Sequence, residues 1–175
     1  MSKAQTYLID SNILITPFLN YYPMDLVPTF WTSLAERIQE GSVAILDCVR
    51  DEILVSKNQD ELSAWFKKLD IRLLINHREP DIVKYYSGVM NILATDAHYE
   101  NAKAIREWSA PSIADPWIVS AAAARNYTIV TFEKTVELSL HNKCHHPHIP
   151  NLASCFGVRV IGLFEMIREL GIRIA

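Results

Sequence analysis

Short apolar or β-prone runs that alternate with helix-length segments constrain the fold of this chain more than any other feature. The runs cover residues 7–9, 43–46, 128–132 and 158–161, and each is too short for a typical buried helix. Runs of this length are typical of strands that are covered on both faces, as the strands of parallel sheets are. The alternation with helices therefore predicts an α/β fold with three α/β/α layers around a central, mostly parallel sheet.

The helices are predicted from apolar residues at four-residue spacing and from residues that start or stop helices. In the first long segment, Leu26, Phe30, Leu34 and Ile38 share one face, and Gly41 follows as a stop. Predicted helices cover 25–40, 59–69, 81–94, 97–108, 115–126 and 164–170. A further short helix is predicted with Asp47 as its N-cap, and residues 72–75 are predicted to form a minor strand.

Length and composition predict a single globular domain that spans residues 1–175, because half of the residues are apolar. The net charge of −3 gives no basic excess, so a nucleic-acid site must be local or must use bound cations.

The amino terminus does not resemble a signal peptide, and no apolar run approaches the ~18 residues of a membrane span. Three cysteines without a Cys-x-x-Cys motif are expected to be reduced, so we expect a cytoplasmic protein without membrane partners.

Acidic residues fall where a parallel sheet presents its ligand site, at the carboxyl ends of strands. Asp10 follows the first strand, Glu133 follows the strand near 130, and Asp115 precedes the helix that leads into that strand. Glu52 is a fourth candidate, with Asp51 as an alternative occupant of its role. Converging carboxylates raise one another's pKa unless a cation lies among them. An all-oxygen set favours Mg²⁺ or Mn²⁺ over zinc, and such ions support phosphodiester hydrolysis.

Each acid also has a purely structural interpretation. Asp115 before Pro116 suits a helix N-cap, Glu133 before Lys134 suits a solvated turn, and Glu52 suits an exposed helix position. The order of the acids on successive elements favours a shared site over these separate roles.

Four motifs resemble those of PIN domains, in the same order along the chain. The closing segments 149–152 and 160–164 are similar to a PIN-like subgroup of bacteria and archaea. The four motifs are Tyr7-Leu8-Ile9-Asp10-Ser11-Asn12, Val49-Arg50-Asp51-Glu52-Ile53, Ala114-Asp115-Pro116-Trp117-Ile118 and Ile129-Val130-Thr131-Phe132-Glu133.

The resemblance implies a PIN-like fold and an endoribonuclease that hydrolyses RNA phosphodiester bonds with Mg²⁺ or Mn²⁺. Many relatives are toxins of toxin–antitoxin pairs, held inactive by a small antitoxin protein, and related domains often form homodimers. One departure is Glu133, which stands where aspartate is commoner. The implied catalytic metal ligands are Asp10, Glu52, Asp115 and Glu133, and the implied supporting residues are Ser11, Asn12 and Thr131.

Two other functions compete with this interpretation. A haloacid-dehalogenase-type phosphohydrolase also begins with a strand that ends in Asp, but it needs a second Asp where this chain has Asn12. The sequence also lacks a glycine-rich phosphate loop. The open alternative is a catalytically inactive PIN-like module that binds RNA or a protein partner.

Further candidates lie in segment 141–148, which is rich in histidine and cysteine. Zinc prefers such ligands, although their spacing matches no standard finger, and protonated histidines are an alternative contact for phosphate. Pro147 and Pro150 predict an irregular loop there. Tyr21 and Tyr22 are candidates for stacking on unpaired bases, whereas Phe30 is assigned to the core. Candidates for the phosphate path are Arg50, Arg125 and Lys134.

Overall fold

The centre of the fold is an all-parallel sheet with the strand order β2-β1-β3-β4. The computed structural model describes residues 5–55 and 60–174. The fold class is therefore α/β, in keeping with the predicted three-layer α/β/α arrangement. The strands are β1 (Tyr7–Ile9), β2 (Val43–Ala44), β3 (Thr128–Val130) and β4 (Val160–Ile161).

Helices connect these strands, and several of them pack on the sheet. Helix α7 packs on β1, β3 and α5, while α2 packs on β2. Within the described ranges, no helix has both the length and the apolar composition needed to cross a membrane. The helices are α1 (Asn12–Thr16), α2 (Pro28–Gln39), α3 (Asp47–Val55), α4 (Asp60–Lys67), α5 (Pro80–Thr95), α6 (Asn101–Trp108), α7 (Asp115–Arg125), α8 (Ile149–Ser154) and α9 (Leu163–Glu169), with a π-helical turn at Pro17–Tyr21 and a 3₁₀ turn at Ile71–Leu73.

Burial explains why the strands carry almost no polar side chains. Leu8, Ile9, Ile129 and Val130 have no exposed side-chain surface, as expected when helices cover both faces of a sheet. Ala121 and Ala122 of α7 are buried too, and their small side chains let the helix lie close to β1 and β3. The prediction of buried parallel strands is thus confirmed.

The parallel register brings the strand ends to one edge. Tyr7 pairs with both Val43 and Thr128, so β1 is central. The ladder continues one residue further, because the Asp10 N–H donates to Val130 O at 3.1 Å and the Thr131 N–H donates to Ile161 O at 3.1 Å. Asp10, which follows β1, and Thr131, which follows β3, therefore lie at the same edge of the sheet.

The predicted helix stops are confirmed by the backbone. Gly41 follows α2 at φ +79°, a conformation that side chains disfavour. Asn126 ends α7 with φ 55°, in the left-handed region that asparagine tolerates better than most residues.

Several predicted elements differ from the structure. The predicted strand 72–75 is wrong, because a 3₁₀ turn occupies most of it and only Ile75 forms a bridge, to Leu46. The first long helix begins at Pro28 rather than 25, so Leu26 lies outside it and is 74% exposed. The predicted loop at Pro150 is helix α8, since proline fits the first turn of a helix.

Smaller differences concern element ends. The apolar run after Asn12 forms helix α1, and the last predicted strands are shorter, at Thr128–Val130 and Val160–Ile161. The helix predicted from 97 begins at Asn101. Residue 59 of the predicted helix 59–69 lies outside the described residues, and the described part ends at Lys67.

Candidate metal centre

Asp10 lies immediately after β1 and is only 2% exposed. Two hydroxyls hold its carboxylate: Thr131 Oγ1 donates to Oδ2 at 3.0 Å, and Ser11 Oγ donates to Oδ1 at 3.3 Å. Burial raises the pKa of Asp10, while Thr131, Ser11 and the nearby Asn12 side chain lower it. The residues predicted to support the site thus surround this carboxylate.

Asp115 is the first residue of α7, and its environment links all four acids. Burial raises the pKa of Asp115 to about 8, with further contributions from the charges of Asp10, Glu133 and Glu52. The charge of Glu107 contributes as well, so Asp115 lies within electrostatic range of four other acids, three of which are the predicted site residues. We call Asp10, Glu52, Asp115 and Glu133 the carboxylate cluster. The predicted N-cap role of Asp115 is wrong, since Ala114 is the cap residue and no side chain caps this helix end.

Glu52 reaches the cluster from α3, whose buried face carries Val49 and Ile53. The Ala114 N–H donates to Glu52 Oε1 at 2.9 Å, which joins α3 to the start of α7. Burial and the charge of Asp10 raise the pKa of Glu52, whereas the Ser11 hydroxyl and the Ala114 N–H lower it. Ser11 therefore interacts with two of the four acids.

The alternative occupant of this role, Asp51, points elsewhere. It is exposed, and Arg50 donates to its Oδ1 at 2.9 and 2.7 Å. Helix α3 thus presents Glu52, not Asp51, to the other acids.

Glu133 lies three residues after the end of β3. The Ile149 N–H at the start of α8 donates to its Oε2 at 2.8 Å, and its own N–H donates to Thr131 Oγ1 at 3.1 Å. Burial raises the pKa of Glu133, followed by the charge of Asp10, while the Ile149 N–H and His148 lower it. The His148 ring lies 3.6 Å from Glu133 Oε2, a contact that the sequence analysis did not predict.

The donor set fits a hard divalent cation. It consists of four carboxylates, and Mg²⁺ and Mn²⁺ prefer oxygen ligands. Among the described residues, no three of these acids have oxygens that all lie within 4.8 Å of one another. The acids are therefore not assembled around one point, and an ion held by them would complete its coordination with water, as Mg²⁺ commonly does.

A groove of about 730 Å³ lies on the Glu133 side of the cluster, and of the four acids Glu133 alone lines it, together with Thr131. Its aromatic wall includes Tyr21, which is 50% exposed and lies with its ring centroid 6.3 Å from that of Phe164. Tyr22, predicted to be exposed, is instead half-buried against Phe30, with ring centroids 4.7 Å apart.

The basic candidates differ in their surroundings. Lys134 is exposed and lines the groove. Arg50 is paired with Asp51, and Arg125 is paired with Glu79 and Asp81. Only Lys134 among the three candidates therefore lies beside the groove.

The histidine-rich segment 141–148 does not gather around one point. Among its histidines, His145 faces Glu100 at 3.6 Å and His146 faces Glu107 at 2.8 Å. Cys144 donates its thiol to the His146 carbonyl. In the part of the chain that the structure describes, no residue of this segment joins a group of three neighbouring metal ligands. These contacts attach the segment to acids on and before α6.

The fold and the cluster define an α/β protein with four carboxylates at the carboxyl edge of a parallel sheet. The chain belongs to the family described as "Domain of unknown function (DUF4411)", which matches residues 7–174 and so includes all four acids. A comparison with curated proteins gives no match. The functional proposal therefore rests on the chemistry of the site.

Proposed function

We propose that this chain is a metal-dependent endoribonuclease that hydrolyses RNA phosphodiester bonds at the carboxylate cluster. The observation that carries the proposal is the placement of four largely buried acids near the carboxyl ends of β1 and β3. Burial raises the pKa of Asp10, Glu52, Asp115 and Glu133, and the charge of Asp10 raises the pKa of the other three further. Among residues 5–55 and 60–174, the ion pairs of these acids are limited to His148 beside Glu133. A cation is the simplest agent that would stabilise such a cluster in its ionised form.

In this proposal Asp10, Glu52 and Asp115 are metal ligands, and Glu133 is a ligand or positions a second ion. Bound Mg²⁺ or Mn²⁺ would polarise a phosphate oxygen and lower the pKa of a water molecule. The protein's own contribution is orientation, because Ser11 and Thr131 hold the Asp10 carboxylate and backbone N–H groups hold both glutamates.

The groove supports an RNA strand as the substrate. Lys134 places a positive charge beside Glu133, where a phosphate of the strand would pass. Tyr21 and Phe164 expose parts of their rings in the same groove, and exposed aromatic faces stack on unpaired bases. The choice of RNA over DNA follows from the resemblance to PIN domains.

The same resemblance extends the proposal to the partners. A toxin role, inhibition by a small antitoxin protein and a homodimer stay predictions. In a host cell, the toxin role predicts growth arrest on induced expression, and an Asp10→Asn substitution should relieve that arrest.

A second candidate is a catalytically inactive PIN-like module that binds RNA or a protein partner. The observation that favours it is the spread of the acids, since Glu52 and Glu133 each use one oxygen for a backbone N–H. A module of this kind would bind RNA or its partner without divalent cations.

RNA cleavage by the purified full chain distinguishes these candidates. We expect cutting of single-stranded RNA with Mn²⁺ or Mg²⁺, no cutting with a chelator, and loss of cutting in Asp10→Asn. Asp51→Asn is the matched control, because Asp51 neighbours Glu52 but is exposed and faces Arg50. RNA binding without cutting under all metal conditions would favour the inactive module.

A further inference from the structure

A second group of metal-ligating side chains lies outside the carboxylate cluster. Asp47, Cys48 and His77 each offer one ligand atom, and these atoms all lie within 4.8 Å of one another. The donors are an oxygen, a sulfur and a nitrogen, unlike the all-oxygen cluster. All three residues are partly buried, so the group differs from an ordinary set of exposed acids.

The backbone brings these three residues together although 30 positions separate Asp47 from His77 in the chain. Leu46 and Ile75 form a parallel bridge beyond the end of β2. The Ile75 N–H donates to Ile45 O at 2.9 Å, and the Asp47 N–H donates to Ile75 O at 3.0 Å. The two segments therefore end side by side, with Asp47, Cys48 and His77 at their carboxyl ends.

Hydrogen bonds orient the ligands in advance. Asp47 Oδ1 accepts hydrogen bonds from the Cys48 N–H at 2.8 Å and from the His77 N–H at 3.1 Å, and it lies 2.6 Å from His77 Nδ1. The other side of the His77 ring packs edge-on against Trp117, with ring centroids 4.7 Å apart. Arg78 Nε donates to the second ring nitrogen of His77, Nε2, at 3.3 Å, so the histidine is held at both nitrogens.

The Cys48 thiol is neutral in the metal-free protein at neutral pH. Burial raises its pKa to about 12, with smaller contributions from the charges of Asp47 and Glu52. Cys144 and Cys155 each donate their thiol to a carbonyl. In the described residues, Cys48 has no such carbonyl acceptor, and the backbone N–H groups of Cys48 and Val49 face its sulfur and lower its pKa. The Cys48 sulfur becomes a metal ligand once it loses its proton.

We propose that Asp47, Cys48 and His77 form a Zn²⁺ site, separate from the carboxylate cluster. A mixed set with sulfur and nitrogen favours zinc over Mg²⁺ or Mn²⁺. A cavity of about 460 Å³ borders Cys48 and His77 and leaves room for water as a fourth ligand. Three protein ligands with an open fourth position are typical of zinc sites that bind an exchangeable molecule.

Binding changes the protonation state of the group in a defined way. The thiol proton leaves Cys48 for solvent as the zinc–sulfur bond forms. As His77 Nδ1 binds the ion, the ring proton moves to Nε2, so the hydrogen bonds that join His77 to Asp47 and to Arg78 Nε are both lost. No oxidant or reductant takes part, because zinc keeps its charge throughout.

The test must separate this site from the carboxylate cluster, since Glu52 lies one helical turn after Cys48 and lines the same cavity. Sulfur provides the distinction. Co²⁺ bound to a thiolate gives a near-ultraviolet charge-transfer band, which carboxylate ligands do not give. We therefore titrate the metal-free full chain with Co²⁺ and then displace it with Zn²⁺.

We expect a charge-transfer band that saturates at one Co²⁺ per chain and disappears on addition of Zn²⁺. Cys48→Ser should abolish the band and weaken Zn²⁺ binding at least about tenfold. Cys155→Ser is the matched control, because this thiol is exposed and donates to the Asn151 carbonyl. Asp10→Asn should also keep the band, since Asp10 belongs to the other cluster.

Two results would overturn the proposal: no charge-transfer band in the wild-type protein, or an unchanged band in Cys48→Ser. His77→Gln provides a second variant if Cys48→Ser does not fold, and it should weaken Zn²⁺ binding by a similar factor. Circular dichroism of each variant establishes that it is folded. Because the readout is spectroscopic, the outcome does not depend on whether the protein cleaves RNA.

Discussion

The two candidate metal sites share helix α3, but their ligands are arranged differently. The carboxylate cluster draws on four separate elements, and its acids are too far apart for three oxygens to lie within 4.8 Å of one another among the described residues. The group of Asp47, Cys48 and His77 is already assembled, with 2.6 Å between its carboxylate and imidazole. A carboxylate and an imidazole share a hydrogen bond, whereas carboxylates repel one another unless a cation lies among them.

The two sites also differ in the groups that hold their acids in place. Glu52 and Glu133 accept hydrogen bonds from backbone N–H groups, and Asp10 accepts hydrogen bonds from two hydroxyls. Neutral donors therefore stabilise these carboxylates. Asp47 instead has an imidazole as a partner. Mg²⁺ and Mn²⁺, which prefer oxygen ligands, should therefore affect the carboxylate cluster far more than the group of Asp47, Cys48 and His77.

The largest expected effect concerns the two adjacent acids of α3. Glu52→Gln should lower the rate of metal-dependent RNA cleavage by more than about 100-fold, because loss of even an outer partner of a metal ligand commonly costs about 10–100-fold. Asp51→Asn should leave the rate within about twofold, since surface substitutions away from a site have small effects. Equal losses in the two variants would contradict the assignment of Glu52.

The next effect is on stability in the metal-free protein. The pKa of Asp115 is raised from 3.8 to about 8, so its native carboxyl binds a proton more readily than the unfolded chain does. The corresponding stability is present below about pH 4 and is lost as the pH rises through about 8. Over this window, wild type should lose roughly 2–5 kcal/mol more of its free energy of unfolding than Asp115→Asn does.

Urea denaturation at the two ends of that window measures this difference. Asp81→Asn is the control, because Arg125 lowers the pKa of Asp81 and its titration lies below the window. Saturating Mn²⁺ should reduce the loss in wild type. A wild-type protein whose stability follows the same pH profile as Asp115→Asn would contradict the raised pKa of Asp115, which burial causes in the main.

The smallest effect is expected for Thr131→Val, which removes the hydroxyl between Asp10 and Glu133. Thr131 is buried, and its hydroxyl donates to Asp10 and accepts from the Glu133 N–H. Loss of these bonds should lower the free energy of unfolding by about 1–3 kcal/mol and weaken Mn²⁺ binding by about tenfold. Thr32→Val, which removes an exposed hydroxyl bonded to Pro28 O, should change neither by as much.

The sequence predicted those parts of the fold that depend on local pattern. Buried strands such as Tyr7–Ile9 follow from apolar runs, and the ends of α2 and α7 follow from Gly41 and Asn126. The positions of the acids followed from the rule that parallel strands end at one edge. Each of these signals is contained in a short stretch of chain.

The remaining features depend on contacts between distant segments. Asp47 was predicted as the N-cap of α3, but it is the first residue of that helix. Its carboxylate holds His77, because the bridge between Leu46 and Ile75 brings the two segments together. The Glu133–Ile149 bond is a similar long-range contact, because Ile149 lies 16 positions after Glu133. Local periodicity carries no signal for such pairs. The 3₁₀ turn at Ile71–Leu73 is local instead: the Leu73 N–H donates to Asp70 O at 2.9 Å and the Arg72 N–H donates to Asp70 Oδ1 at 2.9 Å, within a run whose apolar residues suggested a strand.

The most direct test of the central claim is Mn²⁺ binding to the metal-free full chain, measured by calorimetry beside Asp10→Asn. The account predicts saturable Mn²⁺ binding in wild type that Asp10→Asn weakens by more than about 100-fold, since Asp10 is the most deeply buried acid of the cluster. Wild-type protein that binds no Mn²⁺, or an Asp10→Asn protein that binds it equally well, would contradict the account.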